Sequence, residues 1–340
     1  MGFVLKKDGF DSVLAALAEQ YRIYAPTRKV GMGRFTDTDV ILYDFVTRAD
    51  EIVLDKKSDY AFKEFLTPLS ETLFYFTEDE QKSPVIDQKP VLIFLRSCDM
   101  HAVKRLDQTF IENGKKIDWY YQRRRDLVKF VLIGCRESFE NCFCASMGSN
   151  KTEDGYLFSI ESDGELFRSN VLDPDMAKLF SSHAELEEEV IPSFVTENET
   201  KVTIPEVIPP EISKHALWDE YNTRCIGCGR CNFVCPTCTC FTMQDLAYSE
   251  NGKVGERRRV SASCMVNGYT DVAGGGSYRK KQGERMRFKV MHKIWTFRKR
   301  YGYDMCVGCG RCDDVCPEYI SYSNIINKVN DASASGGQDE

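Results

Sequence analysis

The stretches Cys225–Pro236 (CIGCGRCNFVCP) and Cys306–Pro317 (CVGCGRCDDVCP) decide how the last third of the chain is read. Each follows the Cys-x2-Cys-x2-Cys-x3-Cys-Pro spacing that wraps an iron-sulfur cube. Three thiolates two residues apart can reach the corners of one cube, whereas the fourth, three residues further on and followed by proline, is directed away from it. Glycines at 227, 229, 308 and 310 suit this arrangement, because a backbone without Cβ can curl around the cube and aim its N–H groups at the sulfurs. Zinc is the competing reading, since paired Cys-x2-Cys units also hold that ion. Zinc sites usually separate their pairs by a loop, whereas each stretch here packs four cysteines into eleven residues.

Where two such strings occur together, the fourth cysteine of each ligates the cluster of the other. That rule predicts one cluster on Cys225, Cys228, Cys231 and Cys316, and a second on Cys306, Cys309, Cys312 and Cys235. The expected cofactors are therefore two neighbouring 4Fe-4S clusters, and the implied function is electron transfer.

Working outward, 340 residues suffice for two domains with real cores. The composition, 29% charged and 42% hydrophobic, is that of an ordinary soluble protein and calls for no membrane anchor. The longest apolar runs, 91–95 and 130–133, are far too short to span a bilayer. The first residues lack the order of a signal peptide, so the expected location is the cytoplasm. Fifteen cysteines are an odd count, and their clustering points to reduced thiols on metal, not disulfides. A net charge of −7 argues against general nucleic-acid binding.

The fold class expected is α+β: a mixed α/β domain over 1–205, a mainly helical dicluster ferredoxin-like domain over 206–328, and a disordered polar tail over 329–340. Phe10, Val13, Leu14, Leu17 and Tyr21 predict an opening amphipathic helix. Strands are expected at 22–25, 40–43, 91–95 and 129–133, with a hairpin over 155–168 around Asp163-Gly164 and a helix over 176–190. Pro205, Pro209 and Pro210 mark the domain boundary. Between the two cysteine strings, 257–300 is mostly basic, which suits either docking of an acidic partner or a solvated helix face.

Seven cysteines lie outside the two strings. Cys98 and Cys135 fall just past the carboxyl ends of predicted strands, where open α/β sheets place their ligands. Cys142 and Cys144 follow on a loop, so these four thiols are candidates for a third iron-sulfur cluster, the alternative being cysteines packed in the core. Cys238, Cys240 and Cys264 could shield a cluster, replace a ligand, or simply pack. His101, His183, His215 and His292 show no metal-ligand spacing. Gly31-Met-Gly33 lacks the third glycine of a dinucleotide loop.

The run Cys225–Cys240, with Ser263-Cys264-Met265, Ala273-Gly-Gly275, Arg285-Met-Arg-Phe288 and Met291-His-Lys293, resembles the A-type, iron-sulfur subunits of anaerobic sulfite reductase, a family related to the β subunits of cytosolic sulfhydrogenases. Lys63-Glu-Phe-Leu-Thr-Pro68, Ser97-Cys-Asp-x-His101 and Asn141-Cys-Phe-Cys144 resemble the same pattern, and the likeness spans about 10–325. The resemblance implies a relay subunit that carries no catalytic residue itself. It implies a partner that oxidises NADH through a flavin and a second partner whose sirohaem reduces sulfite to sulfide. It favours a relay or entry role for Cys98, Cys135, Cys142 and Cys144. The nearest alternative is the same wiring in a sulfhydrogenase; a nucleic-acid-binding protein with structural clusters is the alternative of another class.

Overall fold

Every residue of strand β6 (Val91–Arg96) is buried, because helices cover both faces of its sheet. Leu92 and Phe94 pack on helix α1 (Lys7–Gln20) through Phe10, Val13, Leu14 and Leu17. The alternate residues Val91, Ile93 and Leu95 face helix α2 (Ser97–Phe110) through Ala102, Val103, Leu106 and Phe110. Strict alternation thus serves two apolar layers, and each fully buried side chain contributes about 1.5–3 kcal/mol.

The computed structural model describes residues 1–35 and 37–335. Around β6 lie β1 (Gly2–Lys6), β2 (Arg22–Lys29), β3 (Val40–Val46), β7 (Val128–Ile133), β8 (Phe158–Ser162), β9 (Leu166–Asn170) and β10 (Leu186–Glu187). They form an eight-stranded sheet of order β10-β1-β9-β8-β7-β6-β2-β3. β2, β6, β7 and β8 are mutually parallel and the outer strands antiparallel. The strands expected at 22–25, 40–43, 91–95 and 129–133, and the hairpin after residue 155, all lie in this sheet.

Two segments differ from their expectation. The helix expected over 176–190 ends early: α4 spans Pro174–Ser181, and Leu186–Glu187 pairs with β1, so the backbone of the acidic run completes a sheet edge. The dicluster domain, expected to be mainly helical, also carries four strands between the cysteine strings. β11 (Phe241–Ala247) and β12 (Gly255–Ser261) form an antiparallel ribbon that continues onto β4 (Ser70–Phe76) and β5 (Gln81–Lys82).

The arginines of β12 are consumed locally. Arg257 pairs with Asp245, Arg258 with Glu256, and Arg259 with Glu71 and Asp118. These three arginines of the 257–300 run are therefore already paired within the chain. Glu71 is buried and accepts from Arg259 at 3.0 Å and, on helix α3 (Trp119–Arg125), from Arg123 at 3.0 Å and Arg124 at 3.1 Å. Glu71→Gln keeps the shape but removes the charge shared by three guanidinium groups. The expected cost is about 2 kcal/mol, the scale of a charged hydrogen bond, read as a lower urea midpoint.

Beyond the sheet, Ile208, Trp218, Tyr221, Met286, Val290, Ile294, Ile325 and Val329 build a second core around the cysteine strings. The residues expected to be disordered from 329 instead form the last turns of a helix, Tyr322–Ser335, because Val329 is drawn into that core; 336–340 lie outside the described residues. Val307 and Cys309, from the second string, pack in the N-terminal core with Leu95 and Tyr156. Among the described residues no helix is long and apolar enough to cross a membrane.

Candidate metal centres

Both cysteine strings fold alike. Gly227, Gly229, Gly308 and Gly310 all have positive φ, and Gly229 and Gly310 each cap a short helix, Arg230–Phe233 and Arg311–Asp314. All four also lack room for a Cβ, and in the second string the obstacle is backbone. A Cβ on Gly308 would lie 2.6 Å from the Phe143 carbonyl oxygen, and one on Gly310 would lie 2.3 Å from that of Asn141. The second string is thus pressed against the loop that carries Cys142 and Cys144.

A cavity beside the first string is lined by Cys225, Cys228, Cys231 and Cys316, the four thiols grouped by the crossover rule. Met286, Lys289, Ile320 and Tyr322 close it, and Cys312 stands in its wall. Cys228 is exposed, so this group reaches the surface. Burial raises the Cys225 thiol; the Gly227 N–H opposes that, while Cys231, Cys228 and Cys316 add to it.

The second group is deeper. Cys306 is pushed up to about 12 by burial, with Cys235 and Cys309 as neighbours, and the Gly308 N–H points at its sulfur from 3.5 Å. Burial also lifts Cys309 to about 11, with Arg311 opposing and Cys235 nearby. Cys312 is raised by burial and lies near both Cys309 and Cys306. Cys235, from the other string, is held low by the neighbouring Cys238 thiol and by Lys293 and Lys63. Cys240 and Cys264 are neighbouring thiols, and the Asn232 amide donates to the Cys264 sulfur at 3.1 Å.

Three lysines that sequence reasoning left in a generic basic run, or in a family-like string, enter these groups. Lys63, Lys289 and Lys293 are 8%, 5% and 3% exposed, and among the described residues none pairs with a carboxylate. Lys293 reaches the Cys235 sulfur at 3.6 Å and the Thr237 hydroxyl at 2.6 Å. Lys63 donates to the Asn232 and Cys238 carbonyls. Burial works against the charge of Lys289, but Cys231 and Cys312, one from each string, outweigh it and raise its pKa. Burial lowers the Lys63 pKa, whereas Lys289 and Lys293 are held charged; unpaired buried ammonium groups are costly, so these two require an anion, and thiolate-ligated iron-sulfur cubes supply it. The donor set therefore fits the cubes. The 289/293 spacing, one helical turn on Gln282–Met291 and its π-helical continuation His292–Thr296, was the available signal.

Residues 224–320 match the family model of the 4Fe-4S dicluster domain. The chain holds two 4Fe-4S clusters. It is also 29% identical, over 344 residues, to the sulfhydrogenase 2 subunit beta of Pyrococcus furiosus, covering 96% of this chain and 97% of the relative. No solved structure matches the chain.

The N-terminal cysteines also come together. Cys98 is the second residue of α2, directly after β6, and Cys135 lies just beyond β7, whose end is in register with β6 through Arg96 and Ile133. The loop bearing Cys142 and Cys144 returns beneath them. Burial raises Cys144 to about 12, with Cys142 and Cys135 as neighbouring thiols, and raises Cys98, which neighbours Cys144 and Cys309.

Proposed function

We propose that this chain is the iron-sulfur relay subunit of a cytoplasmic sulfite-reducing complex, set between a partner that oxidises NADH through a flavin and a sirohaem partner that reduces sulfite to sulfide. The observation that carries the relay is the shared wall of the two thiol groups: Cys312 of one lines the cavity of the other, and Lys289 faces both. The bound clusters supply one-electron transfer. The residues of the chain do the rest: eight cysteines hold the cubes in crossover, buried lysines balance their charge, and Met286, Ile320 and Tyr322 wall the inner side of the first group, which meets solvent at Cys228. The strings between Cys225 and Lys293 that resemble the sulfite reductase A-type subunits support the sulfite reading, whereas those around Lys63, Ser97 and Asn141 belong to the pattern both families share. The nearly full-length match to a sulfhydrogenase β subunit supports a second, in which the same relay serves a hydrogenase.

Anaerobic co-purification of the tagged chain from its source separates the two. Sirohaem in the complex, with NADH-dependent sulfite reduction, is the expected result; nickel without sirohaem would move the assignment to a sulfhydrogenase. The crossover has its own test. Cys316→Ser is expected to remove about four irons and the same EPR signal as Cys228→Ser, because both thiols are assigned to one cube. Loss of the signal that Cys309→Ser removes would reverse the assignment.

A further inference from the structure

We propose that Cys98, Cys135, Cys142 and Cys144 ligate a third iron-sulfur cluster, of the 4Fe-4S type, placed against the second group and extending the relay into the α/β domain. The proposal rests on the relay reading above and adds a site to it.

Four thiols from three separate segments meet at the carboxyl ends of parallel strands, where such sheets leave a crevice. Each segment is fixed by contacts that do not depend on the thiol. The Phe143 N–H donates to the Gly308 carbonyl at 2.8 Å, and the Ser149 hydroxyl to the Val307 carbonyl at 2.7 Å. Asn141 adopts φ 59°, a left-handed conformation unusual for a non-glycine residue, and its amide donates to Asp314 at 2.9 Å. The strained turn brings Cys142 over the second string, its sulfur 3.6 Å from the Cys309 carbonyl.

Polar groups then converge on the sulfurs, as they do at the other two groups. The Arg96 guanidinium, buried in the sheet, lies 3.3 Å from the Cys135 sulfur. Lys57 reaches the Cys142 sulfur at 3.7 Å and also pairs with Asp314 at 2.6 Å. The buried Asn198 amide approaches the Cys144 sulfur at 3.7 Å. Cys98 lies beside the buried Asp99–Arg311 pair. Cations aimed at thiols in a dry crevice match an anionic cube and give a neutral cysteine core no advantage. A cluster here takes up one electron and hands the same electron on, so no oxidant or reductant is needed beyond the redox partners already named.

Iron and acid-labile sulfide, counted on the anaerobically purified full chain, test the proposal. About twelve of each per chain is expected, falling to about eight in Cys135→Ser and in Cys144→Ser, with the EPR signals of the two string-borne clusters unchanged. Cys264→Ser should keep the wild-type count. About eight in the wild type would overturn the third site while leaving the two-cluster relay standing. A count that falls with Cys264→Ser but not with Cys135→Ser would overturn it as well. The wild-type count decides even if one serine variant fails to accumulate.

Discussion

An Asp99→Asn variant unfolds at markedly lower urea concentration than the wild type, by about 3–5 kcal/mol, the cost of leaving one member of a buried ion pair without its partner. Asp99 and Arg311 are 0% and 1% exposed at their side chains, and the guanidinium grips the carboxylate with both terminal nitrogens, at 2.7 and 2.8 Å. Its remaining donors reach the Ser58 carbonyl and hydroxyl, each at 2.9 Å. Asp99 belongs to α2 of the N-terminal domain and Arg311 to the second cysteine string, so one contact joins the two halves of the molecule. Asparagine fills the same volume but leaves the cation uncompensated. The double replacement Asp99→Leu with Arg311→Met should recover much of the loss, because a buried pair contributes little over well-packed apolar side chains. Urea midpoints on cluster-loaded protein check both, and an unchanged midpoint in Asp99→Asn would rule out the pair as a clasp between the halves.

The second large effect is on potential. Lys293→Met should make the cluster of the Cys306 group harder to reduce, by on the order of 100 mV, since removing a unit charge near it costs ~2 kcal/mol at an effective dielectric of about 20. The sign follows from charge: reduction adds an electron, and the buried ammonium, 3.6 Å from the Cys235 sulfur, stabilises the more negative state. Lys293→Arg keeps the charge and should stay near the wild-type value. EPR-monitored redox titration of the three proteins decides the matter; a Met variant that titrates with the wild type would remove Lys293 from the tuning of the cluster.

The two cysteine strings were legible because their information is local: spacing, glycines and a proline within a dozen residues each. The parallel strands were legible for the same reason, as short apolar runs such as 91–95 leave little choice once both faces are covered. The buried lysines were not. A lysine in sequence reads as solvent-exposed, and only tertiary packing shows that Lys289 and Lys293 turn inward beside thiols. Arg257–Arg259 misled in the opposite sense, since a run of three arginines reads as a surface charge, whereas their carboxylate partners lie at 71, 118, 245 and 256. The ribbon of β11 and β12 was not legible because every residue of β11 is exposed, so no buried face marks it as a strand. The acidic run after residue 184 shows the same limit: its short strand exists because β1 offers an edge, and an edge is not a property of the segment that pairs with it.

The seating of Val307 and Cys309 in the N-terminal core sets an order of events during synthesis. The α/β sheet leaves the ribosome long before these residues do, and until they arrive the α2 side of its core lacks two of its packing members. Such distant contacts slow the final closure and leave apolar surface open in the meantime. The second string is thus both a set of metal ligands and a late-arriving piece of the first domain's core, so its docking serves the fold and the site together.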